Sequence, residues 1–284
     1  MNLRLGRVSH GNSQWCAFSR RIRLAAIASL VPCLAVTGFS GCSPTRLDED
    51  LCPIGQPVNR NTILLLDTSD PLSPKHREEF RRLVRELQEP DGLPEFRVAE
   101  GEALIVYELH LDTAVLDPIM KVCNPGDRPD DWGFREDITS GKAIAQRRWE
   151  RFSESVEPLF EAAEAQAEMP FSPIIEHLGV IVPRHAPSSW RRDAESDSRT
   201  HLIVFSDLLQ HSEHFSHYGS YPAGKDIPKT PLLRHLQTDL SGVEVSLFRL
   251  ERGRYARWQT RDHYYWWTEF IESLGGKVIS QDSI

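Results

Sequence analysis

The chain has no CxxC pair, no GxSxG segment and no glycine-rich phosphate loop. The first absence excludes zinc ribbons and thioredoxin-type redox chemistry. The second excludes the nucleophile elbow of α/β-hydrolases, and the third excludes P-loop and dinucleotide folds. A basic surplus is missing too. Net charge is −8, and all five basic residues of positions 1 to 41 are arginines in a segment without an acid, so the remainder is more acidic still. A body of that sign lacks the basic face that phosphate backbones require, and nucleic acid is excluded as a partner. Internal repeats and low-complexity blocks are also absent. With 40% hydrophobic and 26% charged residues over 284 positions, what remains is an ordinary globular chain long enough for a sizeable core.

The first 41 residues read as an export signal. Arg20-Arg21-Ile22-Arg23 precedes an apolar run over 24–39 that is short for a membrane span and is interrupted by Pro32. Phe39-Ser40-Gly41-Cys42 follows, and it resembles the bacterial lipobox, in which small residues precede a cysteine that is lipidated and becomes the new N-terminus. That resemblance implies lipidation of Cys42, with Phe39 in place of the usual Leu. The alternative is an uncleaved signal anchor. Either way the body is expected on the periplasmic side of the cell envelope, tethered to a lipid membrane. The expected organisation is a lipoprotein-type signal peptide over 1–41, a tether over 42–61 and one α/β domain over 62–284.

Cysteine arithmetic agrees with export. Cys16 and Cys33 lie in the leader and Cys42 is the lipid site, which leaves Cys52 and Cys123. In an oxidising compartment an even remainder reads as a disulfide. Two buried free thiols are the alternative.

Patterning in the body alternates strand and helix. Thr62 to Leu66 is a continuous apolar run, the mark of a strand buried on both faces. Ser73-Pro74 supplies an N-cap and a first-turn proline, and Phe80, Leu83, Val84 and Leu87 form one helical stripe. Strands are also expected at Ala103–Tyr107, somewhere within 114–122, at His201–Phe205, Val243–Leu250 and Lys277–Ser280. Helices are expected at 142–167, after a Ser172 cap, and at 260–274. Such alternation predicts a three-layer, doubly wound, mostly parallel α/β sheet with helices on both faces.

In that architecture ligands sit beyond the carboxyl ends of the strands. Two strands end there in acid: Asp67 after LLL, and Asp207 after IVFS. At these residues the sequence resembles the von Willebrand factor A fold. That family's metal-ion-dependent adhesion site begins with Asp-x-Ser-x-Ser after the first strand, takes a Thr from a loop before a later helix, and an Asp from the end of the fourth strand. Asp67 and Ser69 match the first two elements, Ser172 stands where the Thr belongs, and Asp207 matches the last. Pro71 replaces the second Ser. The CNPG and SDLLQHS segments and the Trp-rich last helix also resemble a bacterial lipoprotein subgroup of A-like domains.

The resemblance implies a Mg2+ or other divalent cation held by Asp67, Ser69, Ser172 and Asp207, and another envelope protein as the partner. The alternative on the same residues is a capped turn without metal. A second class is a haloacid-dehalogenase-like phosphate hydrolase with Asp67 as nucleophile and Ser206 as phosphate contact. There Ser69 stands where a general acid belongs, and serine protonates a leaving group poorly. The chain is therefore expected not to be an enzyme.

Other residues attract blander readings. His211, His214 and His217 are expected to be solvated loop histidines. Tyr264-Tyr265-Trp266-Trp267 is expected to be half core, by helical spacing. Glu161, Glu164 and Glu168 read as a wet helix face.

Cys42→Ser is expected to block processing and to release the chain from the membrane fraction. Unchanged processing and fractionation would refute the lipid anchor.

Overall fold

The computed structural model describes residues 46–55, 58–89, 93, 96–111, 116–126, 140–164, 168–186, 200–229 and 238–284, all within a compact unit running from Pro44 to Ile284. The leader and Cys42 lie outside the described residues.

Among the described residues six strands form one sheet: β1 (Asn61–Leu66), β2 (Ala103–Glu108), β3 (Met120–Cys123), β4 (Thr200–Ser206), β5 (Val243–Arg249) and β6 (Lys277–Ser283). Their spatial order is β3-β2-β1-β4-β5-β6. All neighbours pair in parallel except β3, which runs antiparallel to β2 at one edge. The predicted mostly parallel α/β architecture is the observed one.

β1 lies in the middle of the sheet because its run Ile63–Leu66 offers water no polar side chain. All six of its residues are buried. Alternate side chains of a strand leave opposite faces of the sheet, and β1 obeys: Ile63 and Leu65 join one core, Leu64 and Leu66 the other. The first core is closed by α3 (Ile174–His185) and α4 (Arg261–Ser273), the second by α1 (Pro74–Gln88) and α2 (Ser140–Ala163).

α1 starts as the sequence indicates. Ser73 Oγ accepts from His76 N–H at 3.2 Å, and the His76 ring accepts from Ser73 N–H in return, with Pro74 in the first turn. In α2, Phe152, Val156, Leu159 and Ala163 are buried as their spacing requires, but the helix ends at Ala163, and 165–167 lie outside the described residues. The third strand is shorter than the 114–122 window and reaches Cys123.

Two expectations need correction. α3 is not capped by Ser172. Its N-cap is Pro173, which has no side-chain cap, and the first-turn N–H of Ile175 donates instead to Gln210 Oε1 at 2.8 Å. His217 is not a solvated loop residue. It is fully buried, packs at 4.4 Å centroid distance against Trp266, and sits 3.1 Å from the His263 ring. Burial pushes its pKa well below that of a free histidine, and His263 adds to the shift. Of its companions, His214 is exposed and His211 bonds Ser216 at 3.0 Å. Trp266 and Trp267 are core and Tyr265 is exposed, as helical spacing predicts.

Cys52 and Cys123 form a disulfide, closing a loop across a separation of 71 residues. It pins the lead-in of β1 to β3. Cys123 N–H also donates to Asp50 O at 2.8 Å, and Lys121 pairs with Asp50 at 3.2 Å. Among the described residues no helix is long and apolar enough to cross a membrane.

The double variant Cys52→Ser, Cys123→Ser is expected to lose about 2–4 kcal/mol in chemical denaturation, because the oxidised chain has less unfolded-state entropy. A change under about 0.5 kcal/mol would show that the cross-link constrains little.

Candidate binding edge

Strand order places β1 beside both β2 and β4. The chain leaves β1 for one side of the sheet and leaves β4 for the other, so the switch point where such sheets form a crevice lies between their carboxyl ends. Asp67 is the first residue past β1, and its N–H still pairs with Phe205 O at 3.0 Å. The sheet ladder therefore aims its carboxylate.

That carboxylate is 1% exposed and collects donors from three segments. Oδ1 accepts from Ser69 N–H at 2.9 Å, an Asx turn that folds the loop back over the strand end. Oδ2 accepts from the Ser172 hydroxyl at 3.2 Å and, in a short bond, from the Ser206 hydroxyl. Ser206 Oγ itself accepts from Leu208 N–H at 2.8 Å, which leaves its proton for Asp67. Beside it, Thr68 donates to Glu108 Oε1 at the end of β2, at 2.6 Å.

Ser172 reaches this point because it is excused from capping α3. A two-way backbone bridge to His211, at 2.8 and 2.9 Å, holds its segment against the loop after β4. Gln210 takes over the cap and spans to Glu176 through its amide at 2.9 Å. Met169 N–H donates to Ser69 O at 2.8 Å, closing the strap onto the β1 loop.

Asp207 follows β4 and is 3% exposed. The next residue, Leu208, has φ 61°, a left-handed conformation that a branched side chain rarely adopts. This turn points Leu209 N–H at Asp207 Oδ1, at 2.9 Å. Burial, followed by the charge of Asp67, pushes the Asp207 carboxyl up to about 8, against the opposing pull of Arg252. Two carboxyl groups share one dry crevice, which holds Asp207 toward its protonated form, and nearby cations oppose that shift.

The cations come from a segment that patterning did not single out, the ERGR loop after β5. Arg252 Nη1 donates to Pro71 O at 2.8 Å and Nη2 to Asp70 O at 3.1 Å. Its Nε lies 3.4 Å from Asp207 Oδ2, an ion pair rather than a hydrogen bond. Arg254 pairs with the Asp70 carboxylate. No motif in the chain announces these two arginines; their only signal is their position just past a strand end, the same signal that marks Asp67 and Asp207.

The four expected ligand residues thus lie at one edge. Ser69 and Ser172 bond Asp67, and Asp207 feels its charge. Their hydroxyl and carboxylate oxygens are the hard donors Mg2+ prefers, in a shell that wants six. The fit is incomplete. Pro71 offers no side-chain oxygen, and the carbonyls of residues 70 and 71 are already committed to a guanidinium. Among the described residues there is no cluster of three or more His, Cys, Asp or Glu able to hold a metal. The open cleft beside the edge, about 450 Å³, is lined by Ser73, His76, Glu251, Arg252 and Gln259 among others; Asp67 is not one of them.

No family model and no curated protein matches the chain. Among solved structures, the crystal structure of the human COPII-coat protein Sec24c is similar at 12% identity and a TM-score of 0.31, covering 80% of this chain. The chain spans 30% of that structure's length.

Ser172→Ala and Ser206→Ala are each expected to cost about 1–3 kcal/mol in denaturant melts, since each leaves the buried Asp67 Oδ2 short of a donor. Because the two hydroxyls share one acceptor, the double variant should depart from additivity by more than about 0.5 kcal/mol. Additive losses would refute the shared acceptor.

Proposed function

We propose that the chain is an exported, membrane-tethered protein-interaction module with a von Willebrand factor A-like domain. Its partner is another protein of the cell envelope, and its binding edge is the one built by Asp67, Ser69, Ser172 and Asp207. Lipidation at Cys42 holds it to the membrane with the domain facing the periplasm. One observation carries the reading: donors from the β1 loop, the strap before α3 and the end of β4 converge on one buried carboxylate at the carboxyl edge of the sheet. A sheet edge braced in this way offers a partner a preformed surface, which lowers the entropy cost of association. The hydrolase reading has no comparable support. Ser69 stands where that reading needs its general acid, and serine protonates a leaving group poorly.

A photo-crosslinking residue placed at His214, exposed on the loop bridged to Ser172, would be compared with one at Arg85, near the far end of α1. The full chain would be irradiated in its native envelope. A discrete protein adduct is expected at position 214 and none at 85. Equal adducts, or none at either position, would overturn the reading.

A further inference from the structure

The crevice contains two carboxylates, Asp67 and Asp207, each at least nine-tenths buried. A buried negative charge persists only beside a counter-charge, and two carboxyl groups this close have one between them even when they share a proton. Arg252 supplies it, and its side chain is 9% exposed. The guanidinium spends two donors on the carbonyls of Asp70 and Pro71 and turns Nε to Asp207. It therefore joins the β1 loop to the end of β4, the two limbs that a bridging cation would have to join. A planar fork can meet two carbonyls and a carboxylate at once, which a lysine ammonium on a flexible stem does less well. Pro71 fits this arrangement. It removes a hydroxyl that would bind a metal and contributes a backbone carbonyl to the guanidinium.

Resting on the reading of this edge as the binding edge, we propose that Arg252 is its resident cation: it replaces a divalent metal, so the edge is preassembled and indifferent to chelators. A divalent ion entering the crevice would meet a fixed positive charge and two carbonyls already engaged. Arg254 reinforces the arrangement by pairing with Asp70 on the outer side of the same loop.

The test uses the purified full chain and no partner, so its failure is distinguishable from failure of the crosslinking experiment. Thermal melts in EDTA and in millimolar Mg2+ would be compared for wild type, Arg252→Lys and Arg252→Gln, with Mn2+ binding followed by electron paramagnetic resonance. Wild type and Arg252→Lys are each expected to melt at the same temperature in EDTA as in Mg2+, the lysine variant below wild type, and to leave Mn2+ free. Arg252→Gln is expected to melt lower in EDTA, to regain about 4 °C or more in Mg2+, and to bind Mn2+ at least about tenfold more tightly than wild type. Stoichiometric Mn2+ binding by wild type, lost in Asp207→Asn, would overturn the proposal. So would Arg252→Gln that ignores Mg2+, whether it is folded or unfolded in both media.

Discussion

The carboxylate of Asp67 is the point on which this structure turns. It is out of water, so its lone pairs must be met from within, and the donors that meet them come from residues 69, 172 and 206. A buried carboxylate left short of donors is costly. That cost makes Asp67 a fastener: the loop after β1, the strap before α3 and the end of β4 cannot part without exposing it. Because its backbone is still part of the sheet ladder, the fastener is rigid relative to the core.

Several local choices make sense only in that light. Ser172 sits where a helix cap would be conventional, yet its hydroxyl serves Asp67 while Gln210 caps α3 from a distance. Leu208 accepts a left-handed backbone so that Ser206 and Asp207 can receive the N–H groups of the turn. Each is a small local cost, of a kind that concentrates where geometry must be held for binding. The charge problem created by a second buried acid is then met by a loop from the next strand. Arg252 is tied to the same two limbs that Asp67 fastens. Hydroxyls and a guanidinium together give an edge whose shape does not wait for a ligand.

Most of the fold was legible in the chain. Runs such as ILLL and LIVF have no polar face to offer water, which forces them to the centre of a sheet covered on both sides. The stripes Phe80-Leu83-Val84-Leu87 and Phe152-Val156-Leu159 could bury themselves only as helices. The antiparallel direction of β3 and the burial of His217 were not legible. Both depend on contacts across the chain: β3 runs back along β2 with Cys123 opposite Ala103, and His217 lies under Trp266. Spacing along a loop carries no information about which aromatic will cover it.

The sequence by itself determined that acids would follow two buried strands, since a greasy strand must end in something water or a ligand can meet. It also determined the doubly wound sheet and the even pair of cysteines in the body. Tertiary structure alone decided what those acids face. Arg252 and Arg254 lie 181 or more positions beyond the Asp70-Pro71 turn they contact, and no local pattern encodes a meeting across that distance. Only the strand order, which places β4 against β1 and brings the loop after β5 over the end of β4, puts a guanidinium where the sequence suggested a metal.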